Sequence, residues 1–182
     1  MKYPAVTVHG RFQPPLHINH WNYISRAFEL ADKVIILITN PNLDESSVGE
    51  ASHRNKPENN PFTYGQRIQI FESFFDAMGI PRSRYEFRPF VITDERAWDG
   101  LPKGVPNLVN TYGGWSDAKL EAFKNHGLEV IHLQLPKVKE ISGSIVREII
   151  REEIPPEEKK RKLIEAGYMK EAIPGLFEVL RA

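Results

Sequence analysis

Apolar segments typical of buried strands alternate with amphipathic helical segments along almost the whole chain. The clearest strand is residues 33–39 (KVIILIT), a near-continuous apolar run typical of a strand that is buried on both faces. The clearest helix is residues 18–31, where apolar residues recur at helical spacing. This alternation predicts an α/β fold in which helices cover both faces of a parallel sheet of about five strands, with further helices at the C-terminus.

Size and composition indicate which kinds of partner and chemistry are expected for this chain. We expect one domain over residues 1–182, with a core at 4–153 and a helical extension at 154–182. The 24 basic and 24 acidic residues balance, which does not favour a nucleic-acid partner, and the absence of cysteine excludes disulfides and thiolate chemistry. With no apolar run of ~20 residues and no secretory pattern, we expect a cytoplasmic protein with no membrane partner.

The segment after the first predicted strand, residues 10–20 (GRFQPPLHINH), is the first candidate site. Parallel sheets bind ligands at the carboxyl ends of their strands. Gly10 would let a phosphate approach the backbone, and the following helix N-terminus offers N–H groups to an anion. His17 and His20 share one helix face and could stabilise charge during phosphoryl transfer. The alternative is that both histidines are structural, either exposed on the helix surface or hydrogen-bonded within the protein.

A second candidate site precedes a later helix, at residues 141–147 (ISGSIVR). Ser142, Gly143 and Ser144 are small residues ahead of the helix, and Arg147 lies in its first turn. Such a turn can cradle phosphate oxygens. The alternative is a capping turn with a solvated arginine.

Together, residues 10–20 and 141–147 resemble the two signatures of the nucleotidylyltransferase superfamily, whose fold is Rossmann-like and cytidylyltransferase-like. The first signature usually reads Gly-Arg-Phe-Gln-Pro-Phe-His-x-Gly-His; here one residue is extra or substituted before the first histidine, and Asn19 replaces the glycine. The resemblance implies that three residues act on the triphosphate during catalysis: His17, His20 and Arg147. It also implies a set of nucleotide- and phosphate-binding residues: Gly10, Arg11, Phe12, Gln13, Ser142, Gly143 and Ser144.

Residues 60–67 (NPFTYGQR) look like an element of archaeal-type nicotinamide mononucleotide adenylyltransferases, and the resemblance covers residues 6–152. It implies substrate-binding roles for Thr63, which also has the pattern of a helix N-cap, and for Arg67, which would face the phosphates. Trp98 could stack on an aromatic ring such as nicotinamide, with a buried structural tryptophan as the alternative.

Residues 111–117 (TYGGWSD) instead resemble a segment of cytidylyltransferases that use CTP, although the paired acids of that segment are missing. In combination with HRNKPENNPFTY they also resemble cytidylyltransferases that activate phosphonates. Four residues here are candidates for substrate binding: Gly113, Gly114, Trp115 and Asp117. The long polar segment 40–59 is a candidate anion-binding lid that carries His53, Arg54 and Lys56.

The implied reaction is attack of an acceptor phosphate or phosphonate oxygen on the α-phosphorus of a nucleoside triphosphate, with release of pyrophosphate. Mg²⁺ would enter with the triphosphate. Our first prediction is ATP-dependent transfer to nicotinamide mononucleotide, in NAD biosynthesis; the alternative is CTP-dependent transfer to a phosphonate or polyol phosphate. A non-catalytic nucleotide sensor is the third interpretation. The partners would be a nucleotide and a phosphate-bearing acceptor, and the C-terminal helices could form a homo-oligomer interface.

Overall fold

A computed structural model describes residues 2–40 and 56–182. Five parallel strands form one sheet in the spatial order β3-β2-β1-β4-β5, which confirms the predicted architecture. The strands are β1 (Tyr3–Gly10), β2 (Ala31–Thr39), β3 (Tyr85–Phe90), β4 (Asn107–Asn110) and β5 (Val130–Leu133). The helices are α1 (Ile18–Leu30), α2 (Tyr64–Ala77), α3 (Glu95–Trp98), α4 (Trp115–Asn125), α5 (Gly143–Arg151), α6 (Pro156–Ala166) and α7 (Ile173–Arg181). Within the described ranges, no helix is both long and apolar enough to cross a membrane.

Strand β2 supplies apolar side chains to both faces of the sheet. Val34, Ile36 and Ile38 belong to the larger hydrophobic cluster, together with residues of α1, α2, α5, α6 and α7. Ile35 and Leu37 belong to a smaller cluster with residues of α3 and α4. Because successive side chains of a strand point to opposite faces, one continuous apolar run can serve two layers of helices.

Two helices near the candidate site begin at side-chain caps. Thr63 caps α2 as predicted: its hydroxyl accepts a hydrogen bond from the Gln66 N–H, and the Gln66 side chain accepts one from the Thr63 N–H. This reciprocal pair is a capping box. Ser142 caps α5 by accepting from the N–H of Ile145, so the small residues before this helix have a structural role.

Helix α4 begins after Gly114, which has a φ of 61° that glycine adopts at little cost. Ser116 lies in the first turn of this helix; its hydroxyl donates to the Gly113 carbonyl and accepts from the Tyr112 N–H. The connection between β3 and β4 contains the short helix α3.

Strands β1 and β4 separate at the centre of the sheet. Their ladder has one register pair among the described residues, Thr7 with Asn107. Beyond it, the Tyr23 hydroxyl of α1 bridges the two strands, accepting from the His9 N–H at 3.3 Å and donating to the Leu108 carbonyl at 2.5 Å. From β1 the chain continues to β2 on one side, whereas β4 lies on the other side of β1. The gap between β1 and β4 is therefore the topological switch point, where such sheets bind ligands.

The C-terminal residues fold back onto the turn that precedes α1. The Gly167 carbonyl accepts from the Ile18 N–H at 2.8 Å, and the Leu16 carbonyl accepts from the Met169 N–H at 3.0 Å. Between these bonds, Tyr168 forms an antiparallel bridge with His17. The segment between α6 and α7 therefore helps to fix the backbone of a predicted catalytic residue.

Candidate active site

The turn between β1 and α1 has an uncommon backbone conformation. Phe12 and Leu16 have φ values of 51° and 76°, in a region that residues with side chains rarely adopt. The Phe12 ring folds over Gly10, where a Cβ would lie 2.7 Å from the ring Cζ. Glycine is therefore required at this position by the packing of Phe12, and the space that we expected for a phosphate on this side of Gly10 is filled.

His17 and His20 form a stacked pair, with ring centroids 3.5 Å apart and an interplanar angle of 18°. The Nδ1 atom of His17 accepts from the His20 N–H at 3.3 Å, and the Nδ1 atom of His20 accepts from the Leu16 N–H at 3.1 Å. A neutral imidazole has one donor and one acceptor nitrogen. Each ring must therefore carry its proton on Nε2, and the pair offers two N–H donors to a ligand.

Burial keeps both imidazoles uncharged. It lowers the pKa of His17 to about 4, and it lowers the pKa of His20 well below its usual range, with smaller contributions from His17 and the charge of Arg11. The edge of Phe12 packs against His20 with centroids 5.0 Å apart. At neutral pH the pair can therefore donate hydrogen bonds to an anionic ligand, and donors of this kind stabilise developing negative charge in a phosphoryl transition state.

A cavity of about 390 Å³ lies beside the histidine pair, at the gap between β1 and β4. Its lining residues come from the ends of these strands and from α1 and α4: His9, Gly10, Phe12, His17, Asn19, His20, Tyr23, Asn110, Tyr112, Ser116 and Lys119. Four of them were predicted as site residues, namely Gly10, Phe12, His17 and His20. The sequence interpretation missed the contributions of β4 and α4, and as far as the chain is described no acidic side chain lines this cavity.

Gln13 joins three sequence motifs. Its side-chain amide pairs with the backbone of Phe62, donating from Nε2 at 2.8 Å and accepting at Oε1 at 3.0 Å. Its carbonyl accepts from Nη1 of Arg147 at 2.7 Å. Gly143 lies so close that a Cβ there would be 2.9 Å from the same carbonyl. The motifs therefore meet at one place, although these contacts are structural.

Arg147 is 3% exposed. It contacts the first motif but is not among the residues that line the cavity beside the histidine pair. Besides the Gln13 carbonyl, its guanidinium donates to Ser144 Oγ at 3.0 Å and to Asn59 Oδ1 at 3.4 Å. It lines a second cavity of about 250 Å³ that also contacts Phe62. The role of Arg147 toward the leaving pyrophosphate, on the same triphosphate as the two imidazoles, stays a prediction.

Arg67 is a structural residue, contrary to its predicted position facing the phosphates. It is 1% exposed. Its Nη1 donates to the carbonyls of Arg11 and Thr39, at 2.7 and 2.8 Å, and Nη2 donates to the Asn40 carbonyl at 2.8 Å. Its Nε donates to the Thr63 carbonyl at 3.3 Å. Since four of its five N–H groups bind backbone oxygens, Arg67 holds together the segments that follow β1 and β2.

Trp98 lies at the opposite edge of the sheet from the histidine pair. It is 6% exposed, its indole N–H donates to the Ile92 carbonyl at 3.1 Å, and its ring packs edge-on against Phe123. It lines a cavity with Asn107, at the amino end of β4, whereas the histidines follow the carboxyl end of β1. The structure contradicts the predicted stacking on a nicotinamide ring and supports the buried structural alternative.

The other predicted substrate-binding residues surround the start of α4: Gly113, Gly114, Trp115 and Asp117. The two glycines and Asp117 are exposed and do not line the cavity beside the histidine pair. The Trp115 side chain lies outside what the structure describes. Their binding roles stay predictions.

The candidate lid lies mostly outside the described residues. His53 and Arg54 belong to that part of the chain, and Lys56 is exposed at the point where the description resumes. Beyond Lys56, the Glu58 carbonyl accepts a hydrogen bond from Arg151 of α5. The residues that follow the candidate lid are thus hydrogen-bonded to the helix of the second motif. The lid itself stays a prediction.

Comparison with known proteins adds independent information. The sequence model of the cytidylyltransferase-like family matches residues 7–149. The phosphonoformate cytidylyltransferase of Streptomyces viridochromogenes is 33% identical over 153 residues, which are 81% of this chain and 81% of that protein. A nicotinamide-nucleotide adenylyltransferase of Saccharolobus solfataricus is 31% identical over 80 residues, 44% of this chain and 40% of that protein.

A solved structure has a similar fold. It is a bifunctional NMN adenylyltransferase/ADP ribose pyrophosphatase from Francisella tularensis, complexed with AMP and a manganese ion, with a TM-score of 0.56 and 21% identity. The match covers 80% of this chain and 41% of that protein, so this chain corresponds to less than half of its length. The likeness concerns the fold alone.

Proposed function

This chain belongs to the cytidylyltransferase-like family of nucleotidyltransferases, and from that premise we propose that it transfers a cytidylyl group from CTP to a small phosphonate with release of pyrophosphate. The choice of CTP and a phosphonate is supported by the relative that matches over 81% of both chains. Trp98, which could have stacked on a nicotinamide ring, is buried away from the histidine pair and gives the alternative acceptor no support.

In the proposed reaction an acceptor oxygen attacks the α-phosphorus of CTP. A new P–O bond forms while the bond between the α-phosphorus and the bridging oxygen breaks, and its electron pair leaves with pyrophosphate. The acceptor oxygen is already ionised at neutral pH, so the reaction needs positioning and charge stabilisation more than a general base. The observation that carries the proposed transfer is that the Nδ1 atoms of His17 and His20 each accept from a backbone N–H, so their Nε2–H groups would be left to bind the α-phosphoryl and bridging oxygens.

A divalent metal such as Mg²⁺ fits this site as a companion of the triphosphate. Among the residues that the structure describes, no group of three or more His, Cys, Asp or Glu side chains could hold a metal ion. Mg²⁺ keeps several waters and often binds through substrate phosphates, which matches a cavity without carboxylates. When bound in this way, the ion would neutralise charge on the leaving pyrophosphate.

Adenylyl transfer to nicotinamide mononucleotide is the second candidate. It is favoured by the Asn60–Thr63 element, which the structure ties to the first motif through Gln13 and Phe62. The relative from Saccharolobus solfataricus supports the same candidate, over a shorter match.

Pyrophosphate release with matched substrate pairs tests the proposal. We expect CTP with phosphonoformate to give a kcat/KM at least about tenfold above that of ATP with nicotinamide mononucleotide, because a site built for one donor and one acceptor leaves polar groups unpaired with the wrong pair. Reactions without acceptor are the control for hydrolysis. A preference for the ATP pair would establish the second candidate, and nucleotide binding without any pyrophosphate release would indicate a sensor.

A further inference from the structure

Asn19 lies between His17 and His20 in the sequence, at the second position of α1. It is 8% exposed and lines the cavity beside the histidine pair. The first signature of the superfamily usually has glycine at this position, and glycine has no side chain that could bind another segment. The asparagine is therefore a feature of this chain that the signature does not explain.

The side chain of Asn19 pairs with the backbone of two residues in the connection between β5 and α5. Its Oδ1 accepts from the Val138 N–H at 2.8 Å, and its Nδ2 donates to the Lys139 carbonyl at 2.8 Å. Because the acceptor and the donors of an amide lie on different atoms, the two bonds together fix the orientation of this side chain. Asn19 thus attaches the start of α1 to the connection that leads into the second motif.

The connection between β5 and α5 depends on such side-chain bonds. Among the residues that the structure describes, no backbone–backbone hydrogen bond involves residues 134–140. Besides Asn19, the side chain of Asn110 accepts from one N–H of this segment at 2.9 Å, and Asn22 donates to the Pro136 carbonyl at 3.4 Å. Backbone groups need a partner in the protein or in water. Asn19 supplies two such bonds, and it supplies them shortly before the second motif begins.

A separate attachment joins the two motifs at the other end of the turn between β1 and α1. The Gln13 carbonyl accepts from Arg147 at 2.7 Å, and Gly143 lies against the same carbonyl. Gln13 precedes the histidine pair in the sequence, whereas Asn19 lies within it. The turn is therefore held both to the segment before the second motif and to the helix of that motif. Attachments at two points restrict the distance and the orientation of the two imidazoles relative to the second motif.

We propose that Asn19 is a positioning residue for nucleotidyl transfer, whose amide holds the His17–His20 pair in place relative to the second motif so that both act on one triphosphate. The inference rests on the proposed function, but it does not depend on which nucleotide or acceptor is used. Because Oδ1 and Nδ2 of Asn19 both bind backbone groups, the side chain contributes orientation rather than a contact with the substrate. Orientation matters for the rate, since the reacting groups must be placed within about 1 Å.

The test compares Asn19→Ala with Asn22→Ala, with the nucleotide and acceptor that the wild type turns over fastest. We expect Asn19→Ala to lower kcat about 10- to 100-fold, because a small misplacement can have this effect, and to change the dissociation constant for the nucleotide by less than about threefold. Asn22→Ala is the matched control, since Asn22 lies on the same helix and binds the same connection but does not line the cavity. Its kcat should stay within about threefold of wild type. Asn19→Gly, which introduces the usual residue of the signature, should be as slow as Asn19→Ala.

A double variant separates positioning from a purely structural role. In a His20→Ala background, Asn19→Ala should lower kcat by no more than about a further threefold, because an imidazole that it positions is already absent. Thermal unfolding of each variant sets an assay temperature at which all of them are folded. Effects that multiply in the double variant would assign Asn19 to the fold and overturn the inference, as would equal losses from Asn19→Ala and Asn22→Ala.

Nitrogen NMR of the imidazole rings needs no turnover, so it tests the inference separately from the proposed function. In the wild type we expect His17 and His20 each to carry the proton on Nε2, as their Nδ1 contacts require. In Asn19→Ala we expect a mixture of tautomers, because the start of α1 is no longer fixed. Unchanged ring signals in Asn19→Ala would contradict the inference. Changed ring signals in a protein whose wild type transfers no nucleotide would reject the proposed function alone.

Discussion

Replacing His20 with alanine is expected to lower kcat by about 10²- to 10³-fold while changing the dissociation constant for the nucleoside triphosphate much less. The reason is that a donor fixed toward developing charge contributes mainly in the transition state, and removal of one such donor typically has this effect. His20 cannot turn freely, since its Nδ1 accepts from the Leu16 N–H and its ring stacks on His17. Steady-state kinetics and calorimetric binding of the nucleotide measure the two quantities.

His20→Asn and His126→Ala are the controls for this experiment. Asparagine can still accept from the Leu16 N–H but has no N–H at the position of Nε2, so we expect it to fold normally and remain as slow as alanine. His126 packs against Trp98 at the opposite edge of the sheet, and its replacement should leave kcat unchanged. Turnover of His20→Ala within about threefold of wild type would show that the assigned role is wrong.

The second large effect is expected on stability, from Arg67. Arg67→Ala should lower the free energy of unfolding by about 3–5 kcal/mol, because each buried carbonyl that loses its donor costs about 1–3 kcal/mol. The variant removes the donor that three backbone carbonyls share after β1 and β2, those of Arg11, Thr39 and Asn40. Arg67→Lys should restore only a minor part, because an ammonium group cannot reproduce the planar fork that reaches several oxygens. Urea unfolding measures these differences.

Arg96→Ala is the matched control for Arg67. The Arg96 side chain is 90% exposed and pairs with Asp94 on the surface, so its loss should change stability by less than about 0.5 kcal/mol. If Arg67→Ala were no more destabilising than Arg96→Ala and instead weakened nucleotide binding, Arg67 would be a phosphate ligand, as its sequence motif suggested.

The sequence predicted well what depends on local pattern. The apolar run at 33–39 predicted a central parallel strand because only a strand covered on both faces tolerates such a run. The spacing of three between His17 and His20 predicted neighbouring rings on one helix face; the rings do stack, but His17 is the extended N-cap of α1 and lies just before the helix. Thr63 has the pattern of a helix N-cap, which needs no information from distant residues, and it does cap α2.

The predictions that were wrong or incomplete share a physical cause, because the position of each side chain depends on partners that are distant in the sequence. In the sequence, Arg67 occupies a position that is ordinarily solvated on a helix. In the structure, the carbonyls that bind it come from residues 28 and 56 positions away. Trp98 follows no periodic pattern, and its place beside Phe123 is set by how the connection from β3 to β4 crosses the sheet. His9 and Lys119 were missed because a strand end and a helix face meet only in the folded sheet; their one local signal was that His9 directly precedes Gly10.

The most direct test of the central claim is where the acceptor oxygen ends after one turnover. The protein is incubated with CTP, Mg²⁺ and phosphonoformate labelled with ¹⁸O in the phosphonate group, and the products are read by ³¹P NMR, in which ¹⁸O shifts the signal of the phosphorus that carries it. The account predicts one labelled oxygen between the α-phosphorus and the acceptor phosphorus, with unlabelled pyrophosphate. An α-phosphorus that carries no acceptor oxygen, or product that bears the β- or γ-phosphoryl group, would contradict it.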